Sequence, residues 1–233
     1  MLAWRLLATV LAAYLPFNKF MEVGMTKVLI IDSAATGDAS VSRTLTREFA
    51  ERMRRRNPSV RITHRDVGAA PIPHLTEQTV GSIRGAQAET DAARAALALS
   101  DTLIAEVKEA DLIVIGAPMY NFGISSTLKA WFDHILRAGI TFRYSAEGPE
   151  GLVKGKKAVV IESRAGLYSE GPASAMDHQE PHLRTLLGFM GVTDVTFVRA
   201  ERLAFGPDAA SAAIAEAGQQ LGSFTETELA LAA

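Results

Sequence analysis

The sequence predicts an α/β fold, a doubly wound parallel sheet of five strands with helices on both faces. Three observations carry this prediction. The runs "KVLIIDS", "DLIVIGAP" and "KKAVVIES" are short and nearly continuously apolar, as strands buried on both faces are. Longer stretches with helical spacing separate them, and strand-like and helix-like segments alternate along the chain. No internal repeat and no Gly/Ser linker divides it, so one domain over residues 25–225 is expected, with a short tail at 226–233.

The elements follow in order. "KVLIIDS" (27–33) is the first strand. A polar loop leads to "RTLTREFAERMRRR" (43–56), where Leu45, Phe49 and Met53 share one helical face and the arginines suit a helix end. "SVRITHRDV" (59–67) alternates like a strand. Residues 68–85, with two prolines and three glycines, read as a long loop, and long loops in small domains are often functional. The alanine-rich stretch 88–110 is a helix whose apolar side holds Leu97, Leu99, Leu103, Ile104 and Val107. "DLIVIGAP" (111–118) is the second buried strand, and "STLKAWFDHILRAG" (126–139) a helix ending in glycine. The third buried strand, "KKAVVIES" (156–163), precedes a helix at 181–191, a strand at 193–201 and a last helix at 208–224.

The first 24 residues stand apart. Their apolar run from Leu6 to Phe17 is shorter than the ~20 residues a bilayer-spanning helix needs. An upstream start or unstructured extension is the favoured reading, ahead of a targeting segment or an interfacial helix, with "MTKVLIIDS" opening the domain. Net charge is −2, so no global field favours nucleic acid or an anionic membrane, and no stable membrane insertion is expected. The chain has no cysteine, which rules out disulfides, thiolate catalysis and cysteine-ligated metals.

In open parallel sheets, ligands bind beyond the carboxyl ends of the strands, where the strand order reverses. Three loops therefore matter most. The first, "DSAATGDASVSRTLT", sets hydroxyls and Gly37 between a strand and a helix start, where free N–H groups suit an anion such as phosphate. Helix capping is the plainer role for those serines. The loop is not G-x-G-x-x-G, so the dinucleotide fingerprint is absent. The second loop, Met119-Tyr120-Asn121-Phe122-Gly123, exposes a flat aromatic wall and backbone donors, and the third, from Glu162 to Ser174, is again glycine-rich. A flat, phosphorylated cofactor fits all three.

These blocks carry a resemblance. "KVLIIDS…ASVSRTL", "APMYNFGISSTLKAWFDHILRAGITFRY", "GPEGLVKGKKAVVIESRAG" and "LGFMGVTDVTFVRAE" resemble the FMN-dependent NADH-azoreductases, flavodoxin-like proteins that also reduce quinones. The likeness runs from Lys27 to Leu221. It implies an FMN phosphate at Ser33 and at Ser40, Val41 and Ser42. It implies the isoalloxazine ring against Met119, Tyr120, Asn121 and Phe122, with further contacts from Ser163, Arg164, Ala165 and Gly166. Two positions depart from the family pattern: Ala165 stands where glycine is frequent, and Val41 where glutamine is. Alanine is tolerated there unless the position needs a positive φ.

The resemblance further implies two-electron, ping-pong hydride transfer from NADH or NADPH through bound FMN to a quinone or an aromatic azo compound. It implies a cytoplasmic homodimer whose pocket lies at the subunit interface. The alternative is a non-enzymatic flavodoxin-like electron carrier or redox binding module, for which near-neutral charge offers no acidic docking surface. No catalytic side chain and no metal site is expected. Trp131, Phe132 and His134 read as packing residues, Phe142 and Tyr144 as packing or pocket mouth, and Tyr168 as a residue of a candidate lid loop.

Overall fold

The computed structural model describes residues 26–231, so the readings made for residues 1–24 lie outside the described residues. Strand β1 (Lys27–Asp32) pairs in parallel with β2 (Arg61–Asp66) on one side and β3 (Leu112–Pro118) on the other. The sheet continues through β6 (Lys157–Ser163) to β7 (Asp194–Ala200), all parallel. Its order is β2-β1-β3-β6-β7, so the chain reverses its winding direction at β1. The crevice between the carboxyl ends of β1 and β3 is the switch point at which such sheets take ligands.

Alternation within each strand builds two cores, because successive side chains point to opposite faces. Leu29, Ile31, Ile113, Ile115 and Val160 pack with α3 (Asp91–Glu109), α4 (Ser126–Ile135) and α5 (Glu180–Met190). Val28, Ile30, Val114, Val159 and Ile161 pack on the other face with α1 (Val41–Arg56) and α6 (Pro207–Leu231). Trp131 and Phe132 are fully buried and meet edge-on at 4.8 Å, so they are core residues. His134 is buried too, its Nε2 2.9 Å from the Pro73 carbonyl.

Several boundaries differ from the sequence expectation. The loop at 68–85 contains a short helix, α2 (Glu77–Ile83), started by a reciprocal Thr76–Thr79 capping box. That box is local chemistry that apolar periodicity does not register. Helix α4 ends at Ile135, before the expected Gly139, because the Thr141 hydroxyl donates to the Ile135 carbonyl at 2.6 Å and accepts the Arg137 N–H at 2.9 Å. A hairpin of β4 (Phe142–Ser145) and β5 (Gly148–Gly151) occupies the following segment. Phe142 is buried against Phe189 at 4.6 Å, whereas Tyr144 is exposed. The last helix runs unbroken to Leu231, through the boundary expected at 225.

Candidate flavin-phosphate and ring site

The loop after β1 ends at Ser40, which caps α1: its Oγ accepts from the Arg43 N–H at 3.3 Å and its carbonyl from the Thr44 N–H at 3.0 Å. The first-turn N–H groups of Val41 and Ser42 have no acceptor within a helix, and the macrodipole adds partial positive charge there. The Ser40 and Ser42 hydroxyls lie 3.0 Å apart, both residues buried. Helix-start amides and two convergent neutral hydroxyls suit a phosphate dianion, so these residues fit the phosphate of FMN. Val41 offers its backbone N–H, and its departure from the family's glutamine leaves that donor intact. Ser33 is buried at the end of β1, where its Oγ donates to the Gly116 carbonyl at 2.7 Å. That bond fastens β1 to β3 at the switch point.

A charged network supports the loop from behind. Asp32 is buried; its Oδ1 accepts from the Thr46 hydroxyl at 2.8 Å, and its Oδ2 lies 2.7 Å from His64 Nε2. Arg43 forms a fork with Asp66 and reaches the Ala34 carbonyl. The hydrogen bond to Asp32 raises the His64 pKa against the effect of burial, and the bond from Arg43 lowers that of Asp66. A Cβ at position 116 would sit 2.8 Å from Asp32 Oδ1, which is why β3 carries glycine beside this carboxylate. Neither Asp32 nor Arg43 was singled out by sequence reasoning; an acid ending a buried strand was the available signal.

The loop after β3 is a tight turn. Tyr120 and Gly123 exchange two backbone hydrogen bonds at 2.9 and 3.1 Å, and the central residues Asn121 and Phe122 have φ of 47° and 70°. Positive φ at both centres is the I′ pattern, unusual for phenylalanine. The turn is held from three sides. The Met119 N–H donates to the Ser163 carbonyl at 2.9 Å, the Phe122 carbonyl accepts from the His178 N–H at 3.0 Å, and the Tyr120 hydroxyl accepts from the Ala35 N–H at 3.1 Å. The last bond couples this turn to the loop after β1. Asn121 and Phe122 project outward, and Met119 and Tyr120 are half-buried. Ser125 caps α4 beside them, and the Thr127 hydroxyl reaches the Ser33 carbonyl at 3.5 Å, so a second helix start faces the same crevice.

The third loop divides. Ser163, Ala165 and Gly166 lie at the sheet edge, half-buried or exposed. Ala165 is not among the described residues with positive φ, so its methyl causes no backbone strain. Arg164 turns the other way: its guanidinium is fully buried and touches Glu162 at 2.6 Å, Asp177 at 3.0 Å, Glu201 at 3.1 Å and Gln179 at 3.0 Å. Its N–H is bonded to the Ala200 carbonyl. The side chain therefore anchors the loop instead of reaching the cofactor face. Tyr168 meets Phe122 edge-on at 6.1 Å, joining the second and third loops.

This is the class of protein that the fold and crevice define: a flavodoxin-like α/β protein with a hydroxyl-rich helix start and an aromatic-bearing turn at its switch point. The family model for the flavodoxin-like fold matches residues 26–224, and the chain belongs to that family. Among its relatives is the FMN-dependent NADH:quinone oxidoreductase of Hyphomonas neptunium, 51% identical over 90% of this chain and 100% of its own. That of Ralstonia nicotianae is 48% identical over 81% of this chain and 91% of its own. Of the solved structures, an azoreductase from Bacillus anthracis superposes with a TM-score of 0.80 at 28% identity, covering 87% of this chain and all of its own.

Proposed function

We infer that this protein is an FMN-dependent NADH:quinone oxidoreductase that also reduces azo compounds. The observation that carries the reading is the direct bond between the phosphate loop and the ring turn, from the Ala35 N–H to the Tyr120 hydroxyl at 3.1 Å. It makes one rigid seat from two loops, in a chain closely related to enzymes named for this activity. Bound FMN supplies the two-electron hydride chemistry between NADH and the acceptor. The chain's own residues bind and orient. Ser40, Val41 and Ser42 would hold the phosphate, Ser33 fixes the crevice, and Met119 to Phe122 would pack against the flavin. Ser163, Ala165 and Gly166 would supply further contacts to it from the end of β6. No observation favours the carrier reading.

The same proposal includes a homodimer whose partner completes the pocket. The exposed Phe122 and the open crevice around it suit closure by a second copy. A cytoplasmic location, where NADH is available, belongs to the reading, and cell fractionation checks it. Among the described residues no helix is long and apolar enough to cross a membrane.

The test is a visible spectrum of the FMN-loaded protein under anaerobic NADH, then after a quinone or an azo dye. Bleaching by NADH and stoichiometric return of colour with either acceptor is expected; a flavin that NADH leaves oxidised would refute the enzyme reading. The phosphate seat is tested separately. Replacing Ser40 and Ser42 together with alanine is expected to weaken FMN binding by about 1–3 kcal/mol, the worth of charge-assisted hydrogen bonds. Titration calorimetry giving an unchanged affinity would remove this loop from the site.

A further inference from the structure

Glu201 sits just beyond the end of β7. Glu201 is 8% exposed, and its carboxylate gathers the third loop. Oε1 accepts from the Tyr168 N–H at 2.9 Å, the Ser169 N–H at 3.0 Å and Arg164 Nη1 at 3.1 Å, and Oε2 accepts from the Ser169 hydroxyl. Four donors on one carboxylate form an anion nest built from the protein's own loop. The chain of contacts then runs outward to the site. Arg164 Nε donates to Gln179 Oε1 at 3.0 Å, and Gln179 Nε2 donates to the Ala117 carbonyl at 2.8 Å, beside the end of β3. Tyr168, whose amide Glu201 holds, meets Phe122 of the ring turn. Gly166 leaves room for this: a Cβ there would sit 3.0 Å from the Tyr168 ring.

We propose that Glu201 is a positioning residue for the acceptor face: through Arg164 and the amides of Tyr168 and Ser169 it sets loop 164–170 against the Phe122 turn, and so sets the width of the gap in which a flat acceptor lies. The proposal rests on the quinone oxidoreductase reading and deepens it. Glu201 touches neither cofactor nor substrate, so its effect is geometric. Near-attack distance is sensitive to small displacements of the groups that hold the acceptor, and loop 164–170 is the wall that Glu201 holds. The loop after β1 lies outside this chain of contacts, so the phosphate hold is separate from the clamp, whereas Ala165 and Gly166 move with loop 164–170 itself. The bonds from Ser169, Tyr168 and Arg164 outweigh burial and keep the Glu201 carboxyl below its ordinary range, so the clamp is charged at neutral pH.

The test compares E201Q and Ser169→Ala with the unaltered enzyme, all loaded with FMN. Gln keeps the shape and loses the charge; Ser169→Ala removes one bond from an exposed residue and leaves the fold intact. Two readouts are taken: hydrogen exchange of the Tyr168 and Ser169 amides without substrate, and steady-state kinetics with a quinone, separating KM from kcat. For E201Q we expect amide exchange faster by about tenfold or more and quinone KM raised by about tenfold, a larger change than any loss of FMN affinity, because the loop after β1 is left intact. Ser169→Ala should move both in the same direction, by about threefold. Unchanged exchange would overturn the clamp, and faster exchange with an unchanged KM would overturn its role in placing the acceptor. An E201Q that does not fold leaves the decision to Ser169→Ala on the same two readouts. Unaltered enzyme that NADH cannot bleach would instead sink the functional reading, a distinct outcome.

Discussion

Glu162 is the residue whose chemistry departs furthest from its sequence context. It is the next-to-last residue of β6, fully buried, with Oε2 bound to Arg164 at 2.6 Å and Oε1 without a hydrogen-bond partner. Burial pushes its carboxyl up to about 8; nearby Glu180 and Asp177 act in the same direction, and Arg164 opposes them. The groups facing it are thus two arginines, Arg164 and Arg199, against the acids Asp177, Glu180 and Glu201. A neutral acid tolerates the orphaned oxygen better than a carboxylate would. Because the folded pKa lies above the unfolded 4.5, the folded state holds the extra proton between those values. That contribution is complete below about pH 4.5 and is lost as pH rises through about 8. Glu162→Gln should therefore flatten the fall in stability across that window, a difference of a few kcal/mol at roughly 1.4 kcal/mol per unit. Urea midpoints measured at several pH values check it; parallel curves for the two proteins would show that Glu162 is ionised throughout. Nothing in "KKAVVIES" signals this, since the acids that gather around Glu162 come from residues 177–201.

At the scale of elements, the turn 120–123 sets two adjacent non-glycine residues at positive φ. A non-glycine residue in the left-handed region costs about 1–2 kcal/mol, and Phe122 sits there at φ 70°. Three hydrogen bonds from other loops hold the turn in place, so tertiary contact offsets local preference. Phe122→Gly removes that strain but loses the ring contact with Tyr168, worth about 0.5–1.5 kcal/mol, and adds chain entropy; the net change should stay within about 1 kcal/mol. Phe122→Val keeps the strain and adds a β-branch, so it should destabilise by more than about 1 kcal/mol. Thermal unfolding of both variants tests the ordering, and a valine variant as stable as the glycine one would contradict it. "PMYNF" was legible as the loop that ends a buried run, with Asn121 and Phe122 exposed, because a polar–aromatic cluster follows that run. Its I′ geometry was not, because asparagine suits the left-handed region and phenylalanine does not. Short helix α2 and the β4–β5 hairpin were missed for a related reason: each depends on a few hydrogen bonds, not on a repeating apolar pattern.

For the molecule as a whole, the crevice opens to solvent on the side of Asn121, Phe122 and Ala165. A two-electron reductase gains from excluding water around the reacting ring. The dimer proposed above therefore predicts sedimentation at about twice the 25.0 kDa chain mass, and an acceptor turnover that falls on dilution in step with dissociation. A monomer with full activity per chain at all concentrations would refute it.

The sequence by itself determined the alternation of strands and helices and placed three loops after the buried strands β1, β3 and β6. Periodicity and strand-end position depend on neighbouring residues, and those are visible in one dimension. Only the tertiary structure decided which way Arg164 points, how Glu201 grips Tyr168 and Ser169, and why Gly116 must make way for Asp32. Those outcomes depend on residues dozens of positions apart meeting in a buried space, where charge and volume must be satisfied together.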